Sequence, residues 1–527
     1  MANYSETVNS LRSVFQSGRT KDLKWRRSQL MALLKLLDDN RDRLSEALEK
    51  DLRKNKFESS LMEVGPIRNE VIYALNNLTD WVKPEKVKKG ILNMMDKAYI
   101  RHDPLGAVLI IAAWNYPVQT AILPMIGALA AGNCVVIKPS EIAENMALLL
   151  EELIPKYFDT ECIKCICGGI PETTALLKEK WDYIFYTGNS RVGKIILKAA
   201  AEYLTPVTLE MGGKSPVYVD EGCDLGTVSN RILWGKNSNA GQTCVAPDYV
   251  MCSKETQDAL VEKMKITLEK FYPEGPAKSS CYGRLVSDRH YQRVKKMIEG
   301  GGQVAVGGDT NDSERYIAPT VLTDVTFSDP VMQDEVFGPV LPIVPVKNED
   351  EAIARINAGS TGAPLALYVF SNNQQVVKKF LDGVSSGGCC VNDCLMQGSI
   401  PTLPFGGVGS SGMGRYHGRF TFDTFSHKRG CMERGLEMES VNNIRYPPFT
   451  KNKEKIVTWI LKQKLKSNAN MSLVIYFMFG TLFAVFLKLS NIDGSTIRTP
   501  RVTLRQVCIL KIKNFDLSII ILASRKE

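Results

Sequence analysis

Histidine is scarce in this chain, with four residues in 527. The one Cys-x-x-Cys, Cys162 to Cys165, has no second pair to join it, so a zinc site has too few ligands to draw on and no metal is expected. The opening residues, Met-Ala-Asn-Tyr-Ser-Glu, hold no apolar stretch, which argues against a secretory signal peptide. No basic stripe interleaves with aromatics, and the formal charge of +9 is modest for the length, so nucleic acid is not an expected partner. Thirteen cysteines at irregular spacings, two of them adjacent at 389 and 390, lack the order of a disulfide framework. They read as reduced intracellular thiols.

What is present is a soluble globular composition, 44% hydrophobic and 23% charged, on a chain long enough for two or three domains. Leucines at 30, 33, 34, 37, 44, 48 and 52 recur at helical spacing opposite a charged face, which predicts an outer helix over residues 23–52. From residue 107 the texture changes. Short apolar runs at 107–113, 134–138, 162–167, 183–186 and 207–211 alternate with helical stretches at 118–131, up to 153, 171–179 and 190–203. Strands apolar on both faces that alternate with helices predict a parallel sheet covered on each side. Ligands bind such sheets at the carboxyl ends of the strands, where Asn115, Lys138, Gly188 and Glu210 fall. The alternation resumes with strands at 215–219, 249–252 and 340–346 and a helix at 225–235.

Residues 237–247, Asn-Ser-Asn-Ala-Gly-Gln-Thr-Cys-Val-Ala-Pro, have the composition of a turn that brings backbone amides to a reacting atom. Cys244 in that turn is a candidate nucleophile, because a thiol attacks once ionised and neighbouring amides favour the thiolate. A thiolate adding to an aldehyde leaves a tetrahedral oxyanion, which the Asn115 side-chain amide and the Cys244 N–H would stabilise. Glu210 would take a proton from the thiol or from water, provided burial raises its pKa towards neutrality. Gly188, Asn189, Ser190, Arg191, Val192 and Gly193 form a strand-to-helix turn suited to a phosphate, although not in the usual GxGxxG spacing. The formal GxGxxG at Gly407, Gly409 and Gly412 lies in a loop with neither strand before nor helix after it, and is rejected as a dinucleotide site.

Near the end, residues 451–466 hold six lysines and one glutamate with a partial apolar face. Residues 471–487 then run seventeen positions without a charge, at the short end of what spans a bilayer, and are expected to anchor the chain. The preceding lysines place the large domain on the cytoplasmic side. The tail 491–527, with seven basic residues against three acidic, weakens that assignment.

The strings Trp-Asn-Tyr-Pro (114–117), Lys-Pro-Ser-Glu (138–141), Tyr-Thr-Gly-Asn-Ser (186–190), Leu-Glu-Met-Gly-Gly-Lys-Ser-Pro (209–216), Gly-Gln-Thr-Cys (241–244), Glu-Val-Phe-Gly-Pro (335–339) and Pro-Phe-Gly-Gly-Val-Gly-Ser-Ser-Gly-Met-Gly (404–414) together resemble the aldehyde dehydrogenase superfamily. The short N-terminus and Tyr-Thr-Gly-Asn resemble its class 3 branch, and the hydrophobic C-terminus is most similar to that of fatty aldehyde dehydrogenases. The resemblance implies Cys244 as nucleophile, Glu210 as general base and Asn115 as oxyanion donor. It implies NAD, with NADP possible, held by Lys138 and Glu141 at the adenosine ribose, by residues 188–193 beside the pyrophosphate, and by Glu335 and Phe337 at the nicotinamide ribose and ring. The implied fold is α/β: a parallel-sheet, Rossmann-type NAD domain (1–83 and 105–210), an α/β catalytic domain (211–394) and a small bridging β segment (84–104 and 395–430). A gating helix (451–466), a transmembrane anchor (471–489) and an unassigned tail (490–527) would follow. It further implies a homodimer, medium- to long-chain aliphatic aldehydes as substrates, and attachment to the endoplasmic reticulum. A Cys-dependent esterase or a CoA-acylating dehydrogenase would use the same thiol. A tethered scaffold that kept only the fold is disfavoured by the presence of Cys244, Glu210 and Asn115.

Overall fold

The computed structural model describes residues 4–90, 93–437 and 439–462, so the expected anchor and tail lie outside the described residues. Among the described residues no helix is long and apolar enough to cross a membrane. The described residues divide into two units, one ending at Gly435 and the other beginning at Leu436. In the second, Thr450 caps the helix Lys451–Leu461 by accepting from the Lys453 amide at 3.3 Å. Of the basic helix expected over 451–466, positions 463–466 fall outside the described residues.

The five predicted strands of the first sheet form, at Ala107–Ile111, Cys134–Lys138, Ile163–Cys165, Tyr183–Thr187 and Val207–Glu210. Ala-Val-Leu-Ile-Ile and Cys-Val-Val-Ile-Lys are buried along their whole length, as strands covered on both faces must be. Ala107–Ile111 lies between the second and fourth strands of the series, with Ile111 opposite both Lys138 and Tyr186. Connections therefore leave it in opposite directions, which opens a crevice at the carboxyl ends of the strands. A sixth strand, Gly412–Met413, pairs antiparallel with Val207–Glu210 at the edge. The GxGxxG loop is thereby laid against Glu210, a placement its local sequence does not announce.

Helix Pro117–Ala131 begins with proline at its first position, where no amide is needed, and ends at Gly132 with φ of 94°. All of its residues except Gln119 are buried. The single outer helix expected over 23–52 is two helices, Leu23–Asp39 and Arg41–Leu52. Asn40 breaks it: its side-chain amide donates to Leu36 O (3.0 Å) and to Tyr157 OH (2.9 Å), competing with the helical ladder.

Six residues beyond Glu210 the chain enters a second, seven-stranded sheet at Pro216–Val219. Its strand order is Gln303–Val306, Thr320–Thr323, Val340–Pro345, Tyr249–Cys252, Pro216–Val219, Ala366–Phe370 and Gly388–Val391, parallel except for the first pair. Apart from both, Glu85–Lys86, Lys97–Pro104 and Ser426–Glu433 form a three-stranded antiparallel ribbon with eight residue pairs between its two long strands. Few of its side chains are buried, so it presents unpaired backbone along an exposed edge.

Candidate active site

Two turns meet where the chain passes from one sheet to the other. The first, Trp114 to Tyr116, carries the strand Ala107–Ile111 into the helix Pro117–Ala131. The second follows the helix Leu225–Asn237, where Asn239, Ala240 and Gly241 have φ of 54°, 50° and 76°. A left-handed run of this kind cannot continue a helix, so the chain turns sharply before Cys244. Hydrogen bonds tie the two turns together. Asn115 Nδ2 donates to Gln242 O (3.1 Å), Asn239 Nδ2 to Asn115 O (2.7 Å), and Tyr116 OH pairs with Thr243 Oγ1 (2.8 Å). The Gln242 side chain is fully engaged by Asn239 O, Arg284 O and the Val286 amide. Of the two hydrogens on Asn115 Nδ2, one is used on Gln242 O, leaving the other for a ligand oxygen.

Gly241 is required by a close approach as well as by its φ. A Cβ there would sit 2.2 Å from Gly338 O, a backbone atom that cannot step aside. Gly241→Ala is therefore expected to lower stability by roughly 2 kcal/mol or more, read as a lower Tm and a lost chemical step in the fraction that folds.

Cys244 is half-buried, and burial raises its thiol pKa; the Glu335 and Glu210 carboxyls push the same way. The Cys244 and Val245 amides oppose this but lose. The expected ionisation of the thiol by turn amides is thus reversed here, because removal from water costs the thiolate more than two amides return. Glu210 is 3% exposed, and neither carboxyl oxygen makes a hydrogen bond of good geometry, although the Gly407 amide lies close enough to act on it. Burial holds its pKa far above the ordinary carboxylate range, and the facing Gly407 amide eases this only in part. The glycine loop is tight around it: a Cβ on Gly406 would lie 3.1 Å from Glu210 Oε1.

Glu335 crosses directly over the backbone that follows Glu210. A Cβ on Gly212 would be 2.4 Å from its carboxylate, so a larger residue there would push the Glu335 side chain aside. Burial, then the charge of Asp248, pushes the Glu335 pKa up to about 8. Arg293 holds the loop by donating to Glu335 O (3.0 Å) and Val336 O (2.6 Å). Phe337, at a φ of 45°, sets its ring edge-on to Trp114 at 5.3 Å, and Trp114 meets His290 at 4.8 Å. Burial and two arginines depress His290 to about 4, so its imidazole is neutral.

The remaining candidates lie along the strand ends. Asn189 caps the helix Ser190–Ala201 by accepting from the Val192 amide (3.0 Å), and Tyr186 OH donates to Asn189 O (3.1 Å). Gly193 lets that helix close on the sheet, since a Cβ would be 2.7 Å from Met211 Sδ. Ser190 and Arg191 are exposed beside Gly188. Lys138 and Glu141 pair at 2.6 Å on the opposite side of Ala107–Ile111 from Gly188. A dinucleotide fits this edge. Thr187 Oγ1 and both Glu210 oxygens are buried polar atoms with no hydrogen-bond partner, and the helix Ser190–Ala201 begins at the same edge, where its N-terminus would favour an anion.

Sequence reasoning did not single out Gln242, Tyr116, Thr243 or His290, nor the role of residues 404–414 as the wall around Glu210. Only the glycine density of that loop was a signal, because glycines allow such close backbone approach.

The sequence profile of the Aldehyde dehydrogenase family matches residues 2–429. The mouse protein Aldehyde dehydrogenase, dimeric NADP-preferring, is 52% identical over 448 residues, which are 85% of this chain and 98% of its own. Aldehyde dehydrogenase family 3 member A2 of Pongo abelii is 48% identical over 485 residues, 91% of this chain and 98% of its own. Among solved structures, the substrate-bound state of Staphylococcus aureus AldH superposes with a TM-score of 0.85 at 41% identity. It covers 88% of this chain and 100% of that one.

Proposed function

Because the chain belongs to the aldehyde dehydrogenase family, in its class 3 branch, and is an NAD(P)-dependent aldehyde dehydrogenase, we propose that it oxidises medium- to long-chain aliphatic aldehydes to carboxylic acids through Cys244. The observation that carries this reading is the placement of a buried, unpartnered Glu210 carboxyl beside a loop that binds Asn115 to the Cys244 turn.

In this mechanism Cys244 Sγ attacks the aldehyde carbon while its proton passes to Glu210, whose raised pKa makes it a willing acceptor. Asn115 Nδ2–H and the Cys244 amide hold the resulting oxyanion. A bound nicotinamide supplies a positive charge that favours the thiolate and the acceptor for the aldehydic hydrogen with its electron pair. A thioester then remains on Cys244. Glu210 releases the thiol proton to solvent and then takes a proton from water; the hydroxyl adds to the thioester carbon, the C–S bond breaks to free the acid, and Cys244 regains a proton from Glu210. Phe337, held against Trp114, and Glu335 would orient the ring and its ribose.

Lys138 and Glu141 would hold the adenosine ribose. A carboxylate there repels a 2′-phosphate by roughly 1–2 kcal/mol across about 4 Å of solvent. Glu141→Gln is expected to improve kcat/KM for NADP relative to NAD by roughly tenfold, with the NAD rate little changed. Matching steady-state assays with the two nucleotides check this, and an unchanged ratio removes Glu141 from the site.

The long-chain preference is supported by the uncharged run at 471–487, which would hold the catalyst at a bilayer with its catalytic part cytoplasmic, at the endoplasmic reticulum. Fatty aldehydes partition there at about 0.8 kcal/mol per CH₂. The exposed edge of the three-stranded ribbon supports a homodimer, as an edge strand calls for cover. Reduced-nicotinamide absorbance with NAD and a series from propanal to hexadecanal tests the reading. Rates that fall steadily with chain length would reject the fatty substrate. A chain ending at Thr450 that still pellets with membranes would reject the anchor.

A further inference from the structure

Lys54 follows the left-handed cap residue Arg53, φ 54°, at the end of the helix Arg41–Leu52. Its side chain has no exposed surface. Lys54 Nζ donates to Glu63 Oε1 (2.7 Å) and to Asn115 O (2.8 Å), and lies over the Tyr116 ring at 3.8 Å. Glu63, equally buried, sits in the π-turn Ser60–Val64. Its second oxygen accepts from the Val118 (3.0 Å) and Gln119 (3.4 Å) amides, first-turn donors of the helix Pro117–Ala131. The Asn115 carbonyl receives a second bond from Asn239 Nδ2 (2.7 Å), while the Asn115 side chain is held by Gln242 O.

A buried ion pair returns little net stability, because both charges must leave water; well-packed apolar residues of the same volume serve as well or better. Core packing alone therefore does not account for this pair, which touches the backbone on both sides of Tyr116. We propose that Lys54 and Glu63 are a positioning pair for the reaction: by clamping the Asn115 carbonyl and the first turn of the following helix, they hold the Asn115 amide where it meets the oxyanion. This rests on the reading of Asn115 as oxyanion donor. A donor displaced by about 1 Å loses on the order of 10²-fold in rate, so such a clamp has catalytic consequences without touching the substrate.

The test is a cycle among Asn115→Ala, the charge-balanced double variant Lys54→Met/Glu63→Gln, and their combination. Asn115→Ala alone is expected to lower kcat by roughly 10²- to 10³-fold. The double variant is expected to lower kcat roughly 10- to 100-fold with KM and NADH affinity within about twofold of native. In the Asn115→Ala background it should cost nothing further, a non-additivity that a merely structural role would not produce. If the double variant does not fold, Asn239→Gly keeps the left-handed backbone, removes the other donor to Asn115 O, and carries the same expectation. Native kcat in Asn115→Ala overturns the oxyanion reading, and this inference with it. A reduced kcat in Asn115→Ala, with a loss from the pair that is absent or equal in both backgrounds, overturns the positioning role alone.

Discussion

A Cys244→Ser protein is expected to fold, to bind NADH as tightly as the native protein, and to oxidise aldehydes at least about 10³-fold more slowly. The substitution changes one atom in a half-buried turn, so the hydrogen bonds that tie residues 239–243 to Asn115 and Tyr116 remain. What changes is the proton. Burial already raises the thiol pKa, and a hydroxyl in the same surroundings holds its proton more tightly still. In the proposed role Glu210 would relieve a thiol of its proton because its own pKa is raised, and would be no match for a buried alcohol. Reduced-nicotinamide absorbance, with NADH titration beside it, measures both halves. An unimpaired Cys244→Ser protein would remove the nucleophile assignment while leaving the family membership intact.

The second large effect is expected at Glu210. Glu210→Gln fills the same volume without a base, and is expected to slow turnover by roughly 10²- to 10⁴-fold. Its signature distinguishes it from the cysteine variant. Where deacylation is the step most dependent on the base, the variant forms about one equivalent of reduced nicotinamide and stalls as a Cys244 thioester, visible as one added acyl mass on the intact protein. The pH dependence follows from the direction of the shift. A base is active only when deprotonated, and burial moves that condition upward, so native turnover is expected to rise with pH through a window above the ordinary carboxylate range. Below the window Glu210 holds its proton and the rate falls; in Glu210→Gln that limb disappears. A native acid limb near the unperturbed value for glutamate, or one that persists in Glu210→Gln, would show that another group is the base.

Much of the first sheet is legible in the sequence. Runs such as Ala-Val-Leu-Ile-Ile and Cys-Val-Val-Ile-Lys are apolar at every position, which only a doubly covered strand tolerates, and each became one. The strand ends Asn115, Lys138, Gly188 and Glu210 follow from the same pattern, since parallel register aligns them along one edge. Other features were not legible because their causes lie far along the chain. The helix expected over 23–52 breaks at Asn40, partly because Tyr157, 117 residues away, receives its side-chain amide. The glycines at 406 and 407 mark only a loop of close backbone approach, and nothing local says that Glu210 rests against it.

Two kinds of information thus separate. Strand order along the chain, the identity of the polar residues at strand ends and the motifs of the dehydrogenase family are local properties of the amino-acid string, and the string alone determined them. Proton affinities at Cys244, Glu210 and Glu335, and the clamp of Lys54 on Asn115, were decided only by the folded chain. The reason is that a charge is stabilised or penalised by whatever replaces its water, and what replaces it here comes from segments 54–63, 115–118, 239–244, 335–338 and 404–412, which only folding brings together.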